Sequence, residues 1–327
     1  MRFLKLLGLG FVVLVALSVS GVAYLKSAAR ARYAKHYDLV VEDIPLPFPL
    51  SEAEVRQLGA AAEGSDLAVL ARERAIERGN RYLETRASCG DCHGKDFGGK
   101  VIIDNPIMGR WVAPNITRTG VTGHYTGKDW LKIIRHGIKP DRTAASMPSN
   151  DFTWLSDQEV SDIAMAISNA EPVDRVQPPT LFGPVFALLI AKGDVPVSAE
   201  LIDHNAVRAK YPPRVTPTLE LGKHLAAICL SCHGPNFAGG PIKGGDPSWP
   251  PARNLTSHAS GLGAWTLGDF MNAMRKGKRP DGTAIRKPMP IAYTSKFQDA
   301  ELEALYMFLR AQPPLPYPGS AVGKASK

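Results

Sequence analysis

The chain has 327 residues, of which 44% are hydrophobic and 27 are proline. That apolar share excludes a disordered chain, the length accommodates two ordinary domains, and the prolines favour short helices and irregular loops over regular sheet, so the expected fold is mostly α. The formal charge of +8 comes from scattered basic residues, a pattern that fits a solvated mixed surface as well as a docking patch for acidic partners.

Arg2 and Lys5 precede an uncharged run from Leu6 to Leu25, long enough to cross a hydrocarbon layer. The run exceeds the apolar core of a usual signal peptide, so residues 1–35 are expected to be an uncleaved anchor with its flank. Gly21-Val22-Ala23 and Ser27-Ala28-Ala29 keep a cleaved signal peptide open as the alternative. Lys26, Arg30, Arg32 and Lys35 follow the run and, by the positive-inside count, would draw the wrong end into the cytoplasm. Residues 36–65, with Pro45, Pro47 and Pro49, read as an extended tether.

From Asp66 to Ser88 the pattern turns helical, and Gly79, Tyr82 and Leu83 lead into Cys89-Gly90-Asp91-Cys92-His93. Two thiols three apart can add to the vinyl groups of a haem while the adjacent imidazole ligates its iron, which is the pattern of c-type haem attachment. The pattern returns at Cys229-Leu230-Ser231-Cys232-His233, after Gly222, Leu225 and Ile228, and the two copies use all four cysteines. Zinc and disulfides are the competing fates of CxxC pairs. The pairs lie much further apart than those of a zinc ribbon, however, and neither fate explains a His after both.

Thioether formation belongs outside the cytoplasm, which places the bulk of the chain on the periplasmic side of a bacterial membrane and overrules the positive-inside count. Two haems would also add four propionates and bring the net charge to about +4. Nucleic acid is not expected as a partner.

An iron held by one His needs a second axial ligand, and a Met thioether suits electron transfer. Met147 lies 54 residues after His93 and Met289 lies 56 after His233, each followed by Pro. They are the candidate ligands, with His136 and His258 as rivals, while Met108, Met165, Met271, Met274 and Met307 read as core filler. Between motif and Met the halves align further. Asn115-Ile116-Thr117 matches Asn254-Leu255-Thr256, and Asp129-Trp130, Arg135, Gly137, Pro140 and Asp141 match Asp269-Phe270, Arg275, Gly277, Pro280 and Asp281.

One amphipathic helix follows each Met, with Val160, Ile163, Ala164 and Ile167 in the first and Leu302, Leu305, Tyr306 and Leu309 in the second. The first opens on a capping box from Ser156 to Glu159; the second has Gln298 in place of that Ser and is expected to rely on Asp299. Trp111, Trp130, Trp249, Trp265 and Phe270 are candidates to wall the haems or to pack the core. The expected division is therefore 66–172 and 218–314 as haem domains, 173–217 as a Pro-rich linker and 315–327 as a loose tail. The linker's apolar run, Leu181 to Ala191, is too short and too broken by Pro184 to span a membrane. It either packs on the haem units or docks a partner or the membrane face.

These motifs resemble the class I cytochrome c family, and within it the tandem haem units in the cytochrome subunits of membrane-bound alcohol and gluconate dehydrogenases. The likeness runs over residues 75–172 and 218–314, through the helix before Cys89, the Asn115 piece, Arg135-His136-Gly137, Met147-Pro148 and the closing helix. It implies a small helical domain, twice, holding two covalent haem c groups. Cys89, Cys92, Cys229 and Cys232 would be the attachment points, with His93/Met147 and His233/Met289 as axial pairs. It further implies single-electron transfer between a dehydrogenase or quinol-oxidising complex and a downstream acceptor, although this chain has two motifs where those subunits have three. The rival reading is a dihaem peroxidase, in which one iron would open a site for peroxide; the equal Met spacing in both halves argues against that asymmetry.

Overall fold

The computed structural model describes residues 2–59, 64–242, 245–246 and 248–318. In chain order the elements are α1 (Arg2–Tyr33), α2 (Glu52–Leu58), α3 (Leu67–Thr85), α4 (Cys89–His93), β1 (Lys100–Asn105), β2 (Gly109–Ala113) and α5 (Gly127–Leu131), which runs into a π turn at Lys132–His136. There follow α6 (Asp157–Asn169), β3 (Leu181–Phe182), α7 (Pro184–Lys192), α8 (Ser198–Leu201), α9 (Leu219–Ala226), α10 (Leu230–His233), α11 (Leu267–Lys276), α12 (Ile291–Thr294) and α13 (Asp299–Arg310). The chain is mostly helical, as its composition led us to expect. Composition did not disclose the small antiparallel sheet β1-β2-β3, whose hairpin turn closes where the Asn105 side chain accepts the N–H groups of Ile107 and Met108.

The chain forms two compact units that interleave in sequence. The first holds Met1–Ile44, Cys89–Asn150 and Ile167–Ala206; the second holds Pro45–Ser88, Asp151–Ala166 and Val207–Lys327.

In the first unit α1 is shielded on one face only from Val22 onward, at Val22, Leu25, Lys26 and Ala29, residues spaced to share a helix face. Phe186, Ala187 and Ile190 of α7 bury themselves there against Ala29, with Leu25, Tyr33, Met108, Trp111 and Phe182 around them. Pro184 at the first helical turn suits the start of α7, and Arg32 donates to the Ile190 carbonyl and pairs with Glu200. The linker's apolar run thus clasps the base of α1. One of the charges that offended the positive-inside count has a structural task, satisfying a carbonyl at the negative end of a helix.

The stretch expected to be an extended tether is packed instead. In the first unit His36 bridges Thr143 and Ile44 is buried; in the second, Phe48 is buried with its ring edge-on to Tyr211. Prolines there exclude helix but leave apolar side chains free to find a core. Residues 60–63 of that stretch, and 319–327 of the expected tail, lie outside the described residues.

The second unit is built on two helix crossings. A Cβ on Gly79 of α3 would stand 2.0 Å from the Asp162 carbonyl oxygen of α6, and one on Gly222 of α9 would stand 2.1 Å from the Ala304 carbonyl oxygen of α13. In both pairs the absent side chain lets two backbones touch. Val160, Ile163, Ala164 and Ile167 are buried on α6, and Leu302, Leu305 and Leu309 on α13; Tyr306 is partly exposed and donates its hydroxyl to the Trp265 carbonyl at 2.7 Å.

Glu159 accepts the Ser156 N–H at 2.9 Å to start α6. Glu301 accepts the Gln298 N–H at 2.8 Å to start α13. Asp299, expected to serve there, pairs with Arg275 instead, because Glu301 stands one turn in and can reach back. Of the methionines taken as filler, Met165 and Met274 are buried and Met108 and Met271 border apolar cores, but Met307 is 39% exposed.

Candidate haem-attachment site

The first motif enters from α3, which ends at Thr85; Ser88, with φ 39°, then turns the chain into α4. The second enters without such a kink, α9 passing through a 3-10 turn at Ala227–Cys229 into α10. The different entry accounts for the unequal distance from each crossing glycine to its first Cys.

Past each His the backbone follows the same course. Gly99 N–H bonds the His93 carbonyl at 2.8 Å, and Gly239 N–H bonds that of His233 at 3.0 Å. Phe97 and Phe237 both take left-handed φ, 56° and 60°, and their carbonyls accept from Ile116 at 2.9 Å and Leu255 at 2.8 Å. Asn115 and Asn254 each accept the N–H two residues on, from Thr117 and Thr256, both at 2.9 Å. Each also donates its amide to the segment beyond the closing helix, at Val173 and Leu315.

This frame puts a carbonyl opposite each imidazole. His93 Nδ1 lies 2.8 Å from the Pro114 carbonyl oxygen, and His233 Nδ1 lies 2.7 Å from that of Arg253. A carbonyl only accepts, so both Nδ1 atoms carry the hydrogen and both Nε2 atoms keep a lone pair for a metal. Burial holds both imidazoles below their ordinary pKa, which keeps them in the neutral form that ligates.

No disulfide joins the four cysteines. Burial pushes Cys89 and Cys229 up to about 12, and it also raises Cys92 and Cys232. Cys229 borders the apolar core of the second unit, and all four cysteines are partly buried. Two thiols outside any disulfide, next to a neutral imidazole with a pinned tautomer, fit a covalently held haem. Zinc would need several such donors together, and among the described residues no three His, Cys, Asp or Glu are grouped to hold an ion.

Cys89, Cys92, His93 and Met147 all belong to the first unit, and Cys229, Cys232, His233 and Met289 to the second. Met147 is partly buried on the loop after the bridge Ile138↔Ala144, its carbonyl taking the Ser149 N–H at 2.9 Å. Met289 is partly buried against the core that Cys229 also borders, its carbonyl taking the Ile291 N–H at 3.0 Å.

The rival ligands have local partners: His136 stacks on His204 with centroids 5.2 Å apart, and His258 Nδ1 accepts the Ser260 N–H at 3.0 Å. Trp130, Trp265 and Phe270 pack in or against buried apolar side chains, Trp111 bonds Ser146 at 3.3 Å, and Trp249 is 41% exposed. Sequence reasoning missed the Pro114 and Arg253 carbonyls, since a backbone acceptor leaves no mark in a side-chain pattern. The nearest signal was the matched Asn that follows each.

Paired thiols and a pinned, neutral imidazole within a helical frame define a c-type cytochrome. Residues 219–313 match the model described as cytochrome c, and that part of the chain belongs to the family. It is 29% identical over 262 residues to the fructose dehydrogenase cytochrome subunit of Gluconobacter japonicus, covering 73% of this chain and 53% of the relative. It is 32% identical over 300 residues to the cytochrome c subunit of the alcohol dehydrogenase (quinone) of Gluconobacter oxydans (strain 621H), covering 79% and 59%. It is 24% identical over 288 residues to the gluconate 2-dehydrogenase cytochrome c subunit of Pantoea cypripedii, covering 74% and 60%. The chain thus spans little more than half the length of these relatives. Their names as cytochrome subunits accord with electron transfer and lend no support to the peroxidase alternative.

Proposed function

We propose that this chain is a membrane-anchored dihaem c-type cytochrome that passes single electrons from a dehydrogenase to a downstream respiratory acceptor, with its haem domains on the periplasmic side of a bacterial cytoplasmic membrane. The observation that carries the reading is the duplicated imidazole frame, His93 on the Pro114 carbonyl and His233 on that of Arg253, each directly after a CxxC pair. That the haem-binding stretch occurs twice is supported by the matching backbone courses after His93 and His233; the proposed bounds 66–172 and 218–314 differ from the compact units, which give Cys89–Asn150 to one and Pro45–Ser88 with Asp151–Ala166 to the other. The dehydrogenase as donor is supported by the names of the relatives, and the anchor by α1, which is long and apolar enough to cross a membrane.

In this reading Cys89, Cys92, Cys229 and Cys232 would hold two haems covalently, with His93 and Met147 as the iron ligands of one and His233 and Met289 as those of the other. Bound haem supplies a one-electron Fe(III)/Fe(II) couple. The chain's own part is to fix each imidazole through its Nδ1–H, to keep it neutral by burial and to shield the site from water. Met147 and Met289, as thioether donors to the iron, would favour simple electron transfer.

The test is a redox titration of the membrane-extracted protein, with its optical spectrum and intact mass. Two covalent haems and two one-electron waves are expected. A mass equal to the polypeptide alone, without Soret absorption, would overturn the reading.

A further inference from the structure

The foot of the first unit carries an apolar face that the fold leaves uncovered. A hydrocarbon layer takes about 20 helical residues, and the uncharged run of α1 is Leu6 to Leu25. From Leu6 to Gly21 the side chains of α1 are exposed, whereas from Val22 one helix face is shielded by the folded unit. The last apolar turn of the run is therefore already against protein. Whatever packs on it stands at the level of the lipid headgroups.

What packs there is the β1–β2 turn, β3 and α7. Lys26 shares an open cleft of about 380 Å³ with Asn105, Arg110 and Phe182, and Leu25 borders the same apolar cluster as Phe182 and α7. The Val185 N–H bonds the Ile107 carbonyl at 3.2 Å and the Gly183 N–H bonds that of Met108 at 3.0 Å, which draws turn, strand and helix into one surface. On its outside Ile107 is 61% exposed, Leu181 48%, and Val185 and Leu188 38% each. Helix α7 is apolar on both faces: Phe186, Ala187 and Ile190 are buried against α1, while Val185 and Leu188 face outward. A helix that is hydrophobic all round is ordinarily covered all round.

We infer that this face, centred on Ile107, Leu181, Val185 and Leu188, seats in the headgroup boundary of the bilayer that α1 spans. The inference rests on the anchor reading proposed above. Its occupant follows from continuity, because the face adjoins the stretch of α1 that emerges from the hydrocarbon. The cations at hand agree: Lys26 in the cleft, Arg110 and Lys192 have long stems that reach lipid phosphates while their carbons lie along apolar surface. Asp104 and Asp194 stand beside Arg110 and Lys192 at 3.0 and 3.6 Å, so the attraction is chiefly apolar, as for a helix lying in the membrane surface. Seated in this way, the first unit is held at a set tilt on the membrane instead of swinging on a single helix.

The test uses the haem-loaded full chain, whose own cysteines are occupied, with one new cysteine at a time: Ile107→Cys, Leu188→Cys, Leu14→Cys and Val176→Cys, the last 98% exposed in the same unit. Each is spin-labelled in vesicles of phosphatidylethanolamine and phosphatidylglycerol, and relaxation by lipid-soluble oxygen is compared with relaxation by a water-soluble nickel chelate. Oxygen should dominate at 14, 107 and 188, and nickel at 176. Nickel dominance at 107 and 188 with oxygen dominance at 14 overturns the seat, leaves the anchor standing and assigns the face to a protein partner. Nickel dominance at 14 overturns the anchor reading, and the inference with it.

Discussion

Glu159 and Glu301, the carboxylates that start α6 and α13, share one guanidinium: Arg86 donates to the first at 3.1 Å and to the second at 2.8 Å. All three side chains are buried. His224 adds a contact to Glu159 at 2.9 Å, and Arg81 pairs with the other oxygen of Glu301. Two helix starts in the second unit thus depend on one cation, which stands three residues before the first Cys.

Replacing that cation should be costly. Arg86→Met removes the charge and leaves two buried carboxylates facing each other, a change of the kind that costs about 3–5 kcal/mol. A shift in the denaturant midpoint equivalent to at least about 3 kcal/mol is expected, and one under 1 kcal/mol would show that water or Arg81 can substitute.

The two crossing glycines should prove equally intolerant of a methyl group. Gly79→Ala and Gly222→Ala would each drive a Cβ into a backbone carbonyl, and overpacking of that kind costs about 1–3 kcal/mol or more, against a helix-propensity gain of about 1. Gly268→Ala on α11, where the nearest atom would stand at 3.7 Å, serves as the control and should stay within about 1 kcal/mol of wild type. Thermal unfolding of the three variants decides it, and equal behaviour would refute the close crossings.

Acidity should act through Asp162. Arg78 forks onto it at 2.6 and 2.9 Å, yet burial, with the charges of Glu54 and Glu159 nearby, pushes it up to about 6. A carboxyl raised on folding contributes stability that is full below its unfolded pKa and is lost as pH rises through the folded one. Wild type should therefore gain on Asp162→Asn by about 1 kcal/mol between pH 7.5 and 5, at 1.36 kcal/mol per pKa unit. Glu159 has the opposite sign. Burial works to raise it, but its contacts with His224 and Arg86 hold it below the usual range, so its contribution is lost only at still lower pH. Urea midpoints of both proteins at the two pH values measure the difference, and no difference would remove Asp162 from the account.

Under the proposed ligand assignment, changing the sulfur of Met147 or Met289 should touch one haem at a time. Met147→Ala or Met289→Ala is expected to lower one potential and spare the other, since a Met ligand raises the potential of a His-ligated iron. Cys89→Ser or Cys229→Ser should leave one haem incompletely attached. Two unchanged waves in the redox titration of either Met variant would strike that residue from the ligand pair.

Residue order alone was enough to expose the repeated CxxCH motif, the helices around Tyr82 and Leu305 and the apolar α1. Each depends on spacing along a few turns of chain, and local periodicity records that. Other features needed the folded chain. The partner of each His is a backbone carbonyl, which no residue type announces. Linker residues Phe186 and Ile190 became the clasp on α1, and Phe48 left the expected tether for a core, because apolar side chains go wherever buried surface is offered and local pattern does not say where. The shared guanidinium of Arg86 belongs to the same class: its two acceptors are remote in sequence, and only long-range packing could bring both within reach of one cation.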